Sequence, residues 1–70
     1  MQNSKFIQWT NVYSGECGYV QMIRKSKNHF VNTNDKSMAR KYRSEAEARK
    51  AVEELIKMGE GRDNVFSVVD

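Results

Sequence analysis

The stretch SEAEARKAVEELIKM, residues 44–58, decides the fold because it carries the clearest helical signature in the chain. Ser44 and Glu47 have the spacing of a capping box, in which each side chain accepts a hydrogen bond from a backbone N–H of the first turn. Gly59 suits the left-handed position that often follows a helix. The pattern predicts an amphipathic helix that ends near Met58, with apolar residues at helical spacing: Ala48, Ala51, Val52, Leu55 and Met58.

Three segments ahead of this helix have the composition of β-strands, because they are rich in β-branched and aromatic residues and end in turn residues. They are residues 5–12, 18–25 and 29–33. Residues 38–42 follow a polar loop and are interpreted as an extended approach to the helix rather than as a further strand. The three strands are therefore expected to form an antiparallel meander.

The pentapeptide VFSVV at residues 65–69 predicts a closing strand, since a strand at this position is stable only within an existing sheet. The sequence thus predicts an α+β fold in β-β-β-α-β order. An antiparallel meander of three to four strands packs on one helix in the C-terminal half, in two layers. Residues 1–70 are expected to form a single domain.

Composition favours a reducing compartment. Cys17 is the single cysteine among 70 residues, so no internal disulfide can stabilise this small domain. The stretch Met1–Lys5 lacks the apolar core of a signal peptide, and no apolar run is long enough to span a membrane. We therefore expect a cytoplasmic protein with no membrane partner.

Catalytic and metal-binding patterns are missing from the sequence. The single histidine, His29, has no second histidine to share a metal site, and pairing Cys17 with His29 as nucleophile and base would lack an orienting acid. Gly59 and Gly61 follow a helix, whereas a phosphate-binding loop precedes one. The acidic residues of the helix are scattered around its exposed side. We predict that the protein is not an enzyme and uses no cofactor or metal.

The strands carry apolar residues on both faces, although one helix can cover only one. With unbroken alternation, Tyr19 and Ile23 share a face and Val20 and Met22 share the other. A second apolar face predicts a homodimer or a protein partner. Long lysine and arginine stems could instead shield it within the monomer. The aromatic candidates for the interface are Trp9, Tyr13 and Tyr19.

Charge supports an alternative function. Residues 1–43 carry eight Lys and Arg against two acidic residues, a net +6, whereas residues 44–70 carry four against seven, a net −3. A basic stretch between residues 24 and 43 includes aromatic residues and could neutralise phosphates and stack bases. The alternative function is nucleic-acid binding through this stretch, with Arg24, Lys25, Lys27, Arg40, Lys41 and Arg43 as the candidates and Lys36 as a further cation. A solubilising basic edge is the simpler interpretation of the same residues.

Two resemblances bear on these alternatives. A three-stranded meander followed by a helix resembles arm-type integrase and AP2-like DNA-binding domains, which implies that the sheet would enter the major groove. Tyr42-Arg-Ser44, the alanine-spaced helix and the closing Phe66-Ser-Val68 are similar to the YegP-like family of small ββαβ domains and to small proteins of bacteria and their phages. That likeness implies a bacterial or phage origin and no catalytic residues. The leading prediction is a small non-enzymatic protein that binds a partner, or itself, through the sheet.

Overall fold

The computed structural model describes residues 4–70 and contains one four-stranded antiparallel sheet and one α-helix. This confirms the predicted α+β fold and its β-β-β-α-β order. The predicted polar start at Met1–Lys5 lies outside the described residues except for Ser4 and Lys5. The elements are β1 (Phe6–Asn11), β2 (Cys17–Arg24), β3 (His29–Thr33), α1 (Glu45–Lys57) and β4 (Asn64–Val69), with 3-10 turns at Lys25–Lys27, Lys36–Met38 and Glu60–Arg62.

The sheet has the order β3-β2-β1-β4, so the closing strand β4 pairs with β1 and lies at one edge. β1 and β4 pair without interruption from Phe6 opposite Val69 to Asn11 opposite Asn64. The shortest dimension of the chain is 16 Å, which suits one sheet and one helix layer. Within residues 4–70, no helix is long and apolar enough to cross a membrane.

The helix begins largely as its sequence predicts. The Ser44 hydroxyl accepts from the Glu47 N–H at 3.3 Å. The Glu47 carboxylate, however, accepts from the Arg43 N–H at 3.2 Å rather than from the Ser44 N–H that a capping box would use. At the other end, Met58 is the C-cap and Gly59 has the positive φ of 92° that closes the helix.

The segment before the helix forms hydrogen bonds with the middle of β2 and with Lys5, directly before β1. The Arg40 N–H donates to the Val20 carbonyl at 3.1 Å, and Lys5 and Tyr42 exchange two backbone hydrogen bonds of 2.9 Å. Ala39 and Tyr42 are buried as a result. The segment thus bridges two strands through a single β-bridge at Tyr42, as an extended approach would, and adds no further strand.

One face of the sheet packs against the helix, and we call it the core face. It contributes Ile7, Trp9 and Val20 to a buried cluster with Tyr42 and the helix residues Ala48, Ala51 and Leu55. Phe30 and Phe66 extend this cluster from the two edge strands, with ring centroids 5.6 Å apart. The opposite face of the sheet, which the helix does not cover, is called the outer face.

Because of a β-bulge in β2, some side chains of this strand lie on the face opposite to the predicted one. The pairing of β2 with β3 shifts register between Val20 and Met22, and one extra residue at this point reverses the alternation that follows. Ile23 therefore packs on the core beside Val20. The prediction that Ile23 shares a face with Tyr19 is wrong, and Met22 lies on the outer face instead.

Candidate functional site

The outer face is the side of the sheet that the helix does not cover. Register and alternation place it on all four strands. Its central row is polar, running from Thr33 through Tyr19 and Gln8 to Ser67. Apolar side chains lie on both sides of that row: Phe6, Met22, Val31, Val65 and Val69. The outer face is therefore mixed in character: Phe6, Met22, Val31 and Val69 lie together on one side of this row, and Val65 lies on the other side beside Thr10.

Phe6 lies on the outer face but is buried by other residues of the chain. Lys36 lies over its ring with Nζ 5.1 Å from the centroid, and Tyr19 packs against its edge at 6.4 Å. Lys36 Nζ also donates to the Asp70 carbonyl, and Lys5 pairs with the Asp70 carboxylate. The hydrogen bond from Lys5 holds the pKa of Asp70 below its usual value. Shielding by a lysine stem thus operates here, but only over Phe6.

The other four apolar residues of the outer face, and the Tyr19 ring between them, remain accessible to solvent. Val65 is 55% exposed and Met22 is 44% exposed, while Tyr19, Val31 and Val69 are half-buried. Because apolar groups of this size on a strand face favour contact with a partner, these five residues form the candidate interface. Met22 was missing from the sequence-based candidates because the bulge brings it onto this face. Val31, Val65 and Val69 were missing because those candidates were aromatic residues.

Trp9 is removed from the candidate interface. Its side chain is 9% exposed and belongs to the buried cluster on the core face. The physical reason is its neighbour across the strand pair: Trp9 lies opposite Gly18, where a Cβ would come within 3.0 Å of the indole Nε1. Gly18 therefore provides the space in which the indole ring packs, and Trp9 contributes to stability rather than to recognition.

The two tyrosine candidates lie in different places. Tyr13 is 81% exposed at the turn between β1 and β2, a turn held by the Asn11 side chain, which accepts from the Tyr13 and Ser14 N–H groups at 2.9 Å. Tyr19 lies on the outer face, against Phe6. The structure therefore keeps only Tyr19 within the candidate interface and leaves Tyr13 at the hairpin tip.

The basic stretch does not form one continuous surface. Arg24 follows Ile23 in β2 and lies on the outer face. Lys25 pairs with Glu54 of the helix at 2.8 Å, and this hydrogen bond lowers the pKa of Glu54. Arg40 lies over the Tyr42 ring, 5.4 Å from its centroid, in a cleft on the other side of the sheet. Lys27, Lys41 and Arg43 are exposed in the connections between elements.

The cleft between β2 and the helix contains a buried hydroxyl without a partner. Among residues 4–70, the Tyr42 hydroxyl has no hydrogen-bond partner and almost no exposure. Burial raises the pKa of Tyr42, which keeps this hydroxyl neutral. The cleft also combines cations (Lys25, Arg40, Lys50) with carboxylates (Glu47, Glu54), so it presents no surface of one charge.

Replacing Tyr42 with phenylalanine is expected to leave the free energy of unfolding unchanged or to raise it by up to about 1 kcal/mol, because the removed hydroxyl has lost its water without gaining a hydrogen bond. Urea denaturation of Tyr42→Phe beside the wild type measures this change. A loss of stability greater than 1 kcal/mol, by the same reasoning, would show that the hydroxyl has a strong partner.

The residues considered for catalysis are far apart. Cys17 is the first residue of β2, whereas His29 pairs with Arg24 at the other end of that strand. Seven residues of extended chain separate their backbones by about 23 Å. No group of three or more His, Cys, Asp and Glu side chains within the described part of the chain could hold a metal ion. The absence of enzymatic activity stays a prediction.

The outer face is thus the candidate binding site of this fold. It combines partly exposed apolar side chains, an aromatic residue and Arg24, which forms no ion pair with any of residues 4–70. Compared with known proteins, the chain matches no family model, no curated protein and no solved structure.

Proposed function

We propose that the chain is a non-enzymatic interaction domain that binds a protein partner through its outer sheet face. The observation that carries this proposal is the distribution of apolar residues: one helix covers the core face, while Met22 and Val65 stay about half exposed on the other. Tyr19 supplies the aromatic contact, a residue type enriched among those that dominate binding energy at interfaces.

Charge specifies the kind of partner. Three of the four strands that form the outer face belong to residues 1–43, which carry a net charge of +6, and Arg24 on this face has no acidic partner among residues 4–70. Complementary charge speeds association and excludes partners of like charge. The expected partner is therefore a protein with an apolar patch that is bordered by carboxylates.

The test uses two exposed methionines, one on the outer face and one outside the sheet. Met22→Glu places a carboxylate within the candidate interface, whereas Met38→Glu adds the same charge in the loop before the helix, where Met38 is 56% exposed. Immobilised wild type and both variants are incubated with lysate of the cells that express the protein. A protein that wild type retains is then purified, and its affinity for each variant is measured by calorimetry.

We expect Met22→Glu to weaken this affinity at least about tenfold, since a buried carboxylate would lack a partner and face other carboxylates. Met38→Glu should bind like wild type. Capture of a protein from the lysate supports the proposal only if the two variants differ in this way in their affinity for it. Equal affinity of the two variants for the captured protein would contradict it, as would a wild type that retains nothing beyond what Met22→Glu retains.

Nucleic-acid binding is the second candidate, and one observation favours it. Of seven cations between residues 24 and 43, Lys25 pairs with Glu54 and Lys36 donates to the Asp70 carbonyl, which leaves five whose side chains have neither an ion pair nor a hydrogen bond within residues 4–70. Fluorescence anisotropy with a labelled duplex at two salt concentrations tests it. Binding through phosphates predicts a salt slope of about 0.9 for each contact. No binding at low salt would eliminate this function.

We infer a cytoplasmic location from the single, exposed Cys17, because one cysteine cannot form an internal disulfide. A bacterial or phage origin rests on the likeness to YegP-like domains and stays a prediction.

A further inference from the structure

We propose that the free edge of β4 is a second interaction site, at which a second copy of the chain pairs antiparallel to form a continuous eight-stranded sheet. This site differs from the outer face and does not depend on the function proposed for it. It rests on the backbone register of β4, on the residues that flank its edge and on the absence of features that usually protect edge strands.

The register shows which backbone groups of β4 lie at its free edge. The Val12 N–H donates to the Asp63 carbonyl at 2.8 Å, and hydrogen-bonded pairs alternate along an antiparallel ladder. Val65, Ser67 and Val69 therefore direct their N–H and C=O groups toward β1. On the opposite side of β1, the 2.7 Å bond from the Asn11 N–H to the Glu16 carbonyl agrees with this assignment.

The backbone N–H and C=O groups of Phe66 and Val68 consequently point away from β1. Within the described chain, β4 is an edge strand, and no hydrogen bond from another segment reaches these groups. A row of such donors and acceptors at strand spacing is matched by one kind of partner, another extended strand.

β4 lacks the features that keep edge strands apart. Residues 64–69 contain no charge and no proline, and all six pairs with β1 are in register without a bulge. Charges, prolines and bulges are the usual means of preventing edge-to-edge pairing. The opposite edge strand, β3, differs because its pairing with β2 contains a bulge.

A second copy fits this edge better than an arbitrary strand does, because β4 is complementary to itself. A two-fold axis at Ser67 places Phe66 opposite Val68 of the second copy, so that the outward-pointing groups of both residues form hydrogen bonds. On the outer face the same axis places Val65 opposite Val69. The pairs that flank the small Ser67, Phe66 with Val68 and Val65 with Val69, are then apolar against apolar. An isologous contact of this kind closes as a dimer.

The flanks of the edge add apolar area to this contact. On the helix side, Phe66 and Val68 border a cleft with Val52, which Glu45, Arg49 and Glu53 also line. Ile56 follows one helical turn after Val52 with 55% of its surface exposed. On the outer side, Val65 is equally exposed. Strand pairing would therefore bury apolar side chains on both faces along with the backbone groups.

The test compares a serine-to-lysine substitution at this edge with the same substitution elsewhere in the chain. Ser67→Lys sets two lysines directly opposite each other in a non-hydrogen-bonded pair, where side chains are closest and like charges destabilise. Ser26→Lys makes the same change in the exposed turn after β2, far from β4. Sedimentation equilibrium over a concentration series gives the mass and the dissociation constant of each protein.

Wild type and Ser26→Lys are expected to reach twice the 8.2 kDa mass of the chain, and Ser67→Lys is expected to raise the dissociation constant roughly tenfold or more. In wild type, amide hydrogen exchange at Phe66 and Val68 should slow as concentration rises. The amides of Val65, Ser67 and Val69 should be protected at every concentration.

Three outcomes would overturn the proposal. They are a wild type that stays monomeric at every concentration, a dimer that Ser67→Lys leaves as stable as Ser26→Lys does, and exchange at Phe66 and Val68 that does not respond to concentration. The exchange measurement uses wild type alone, so the proposal can fail even if Ser67→Lys does not fold. Failure here leaves the methionine test of the outer face unaffected.

Discussion

Replacing Leu55 with alanine is expected to lower the free energy of unfolding by about 3 kcal/mol, the middle of the range for a buried leucine. Leu55 is completely buried and lies where the helix meets Ile7 and Val20 of the sheet. A chain of 70 residues has only roughly 4–10 kcal/mol of stability in total. The substitution should therefore remove a large part of it, as measured by urea denaturation.

The neighbouring residue provides the control. Ile56→Ala removes a similar number of carbon atoms from a side chain that is largely exposed, and its effect should stay below about 1 kcal/mol. Equal losses for the two variants would mean that α1 does not pack on the sheet through Leu55, and the assignment of the core face would then be wrong.

Replacing Gly18 with alanine is expected to cost about 2 kcal/mol through overpacking. The new Cβ would lie 3.0 Å from Trp9 Nε1 and 3.0 Å from the Thr33 carbonyl oxygen. One neighbour belongs to a ring within the core and the other to the backbone of the paired strand, so neither can move freely. The midpoint and slope of urea denaturation measure the loss.

Two further variants test this explanation. Gly61→Ala is the control, because its Cβ would meet only the flexible, exposed Ile56 side chain, at 3.2 Å. Trp9→Phe removes the indole nitrogen that Gly18→Ala would contact. Combined with Gly18→Ala, it should cost less than the sum of the two single changes, which a double-mutant cycle measures. Strict additivity would show that the indole ring is not the obstacle.

The sequence predicts the order of elements because the signals for it are local. Ser44, the helical spacing of the apolar residues and Gly59 act within single turns, and they place α1 within a residue of its observed ends. Apolar composition places the strands in the same way. The bulge in β2 is different, since it lies beside the hydrogen bond from the Arg40 N–H to the Val20 carbonyl. That contact joins distant segments and has no local signature.

The same difference between local signals and contacts of distant segments explains which residues of the candidate site could be predicted from the sequence. Apolar residues occur on both faces of β1, so the sequence cannot decide whether Trp9 or Phe6 belongs to the core. The structure decides it through Gly18, which leaves room for the indole, and through Lys36, which covers Phe6. The free edge of β4 has a sequence signal, the six uncharged residues 64–69, but strand order is needed to show that they lie at an edge.

The single cysteine gives the most direct test of the outer face as the binding surface. Cys17 is exposed and pairs with Thr10, which places it on the outer face two residues from Tyr19. The rate at which a thiol reagent modifies Cys17 is measured for the free protein and for its complex with the captured partner. We predict modification at least about tenfold slower in the complex, because an interface core excludes solvent. An unchanged rate in the saturated complex would contradict binding through the outer face.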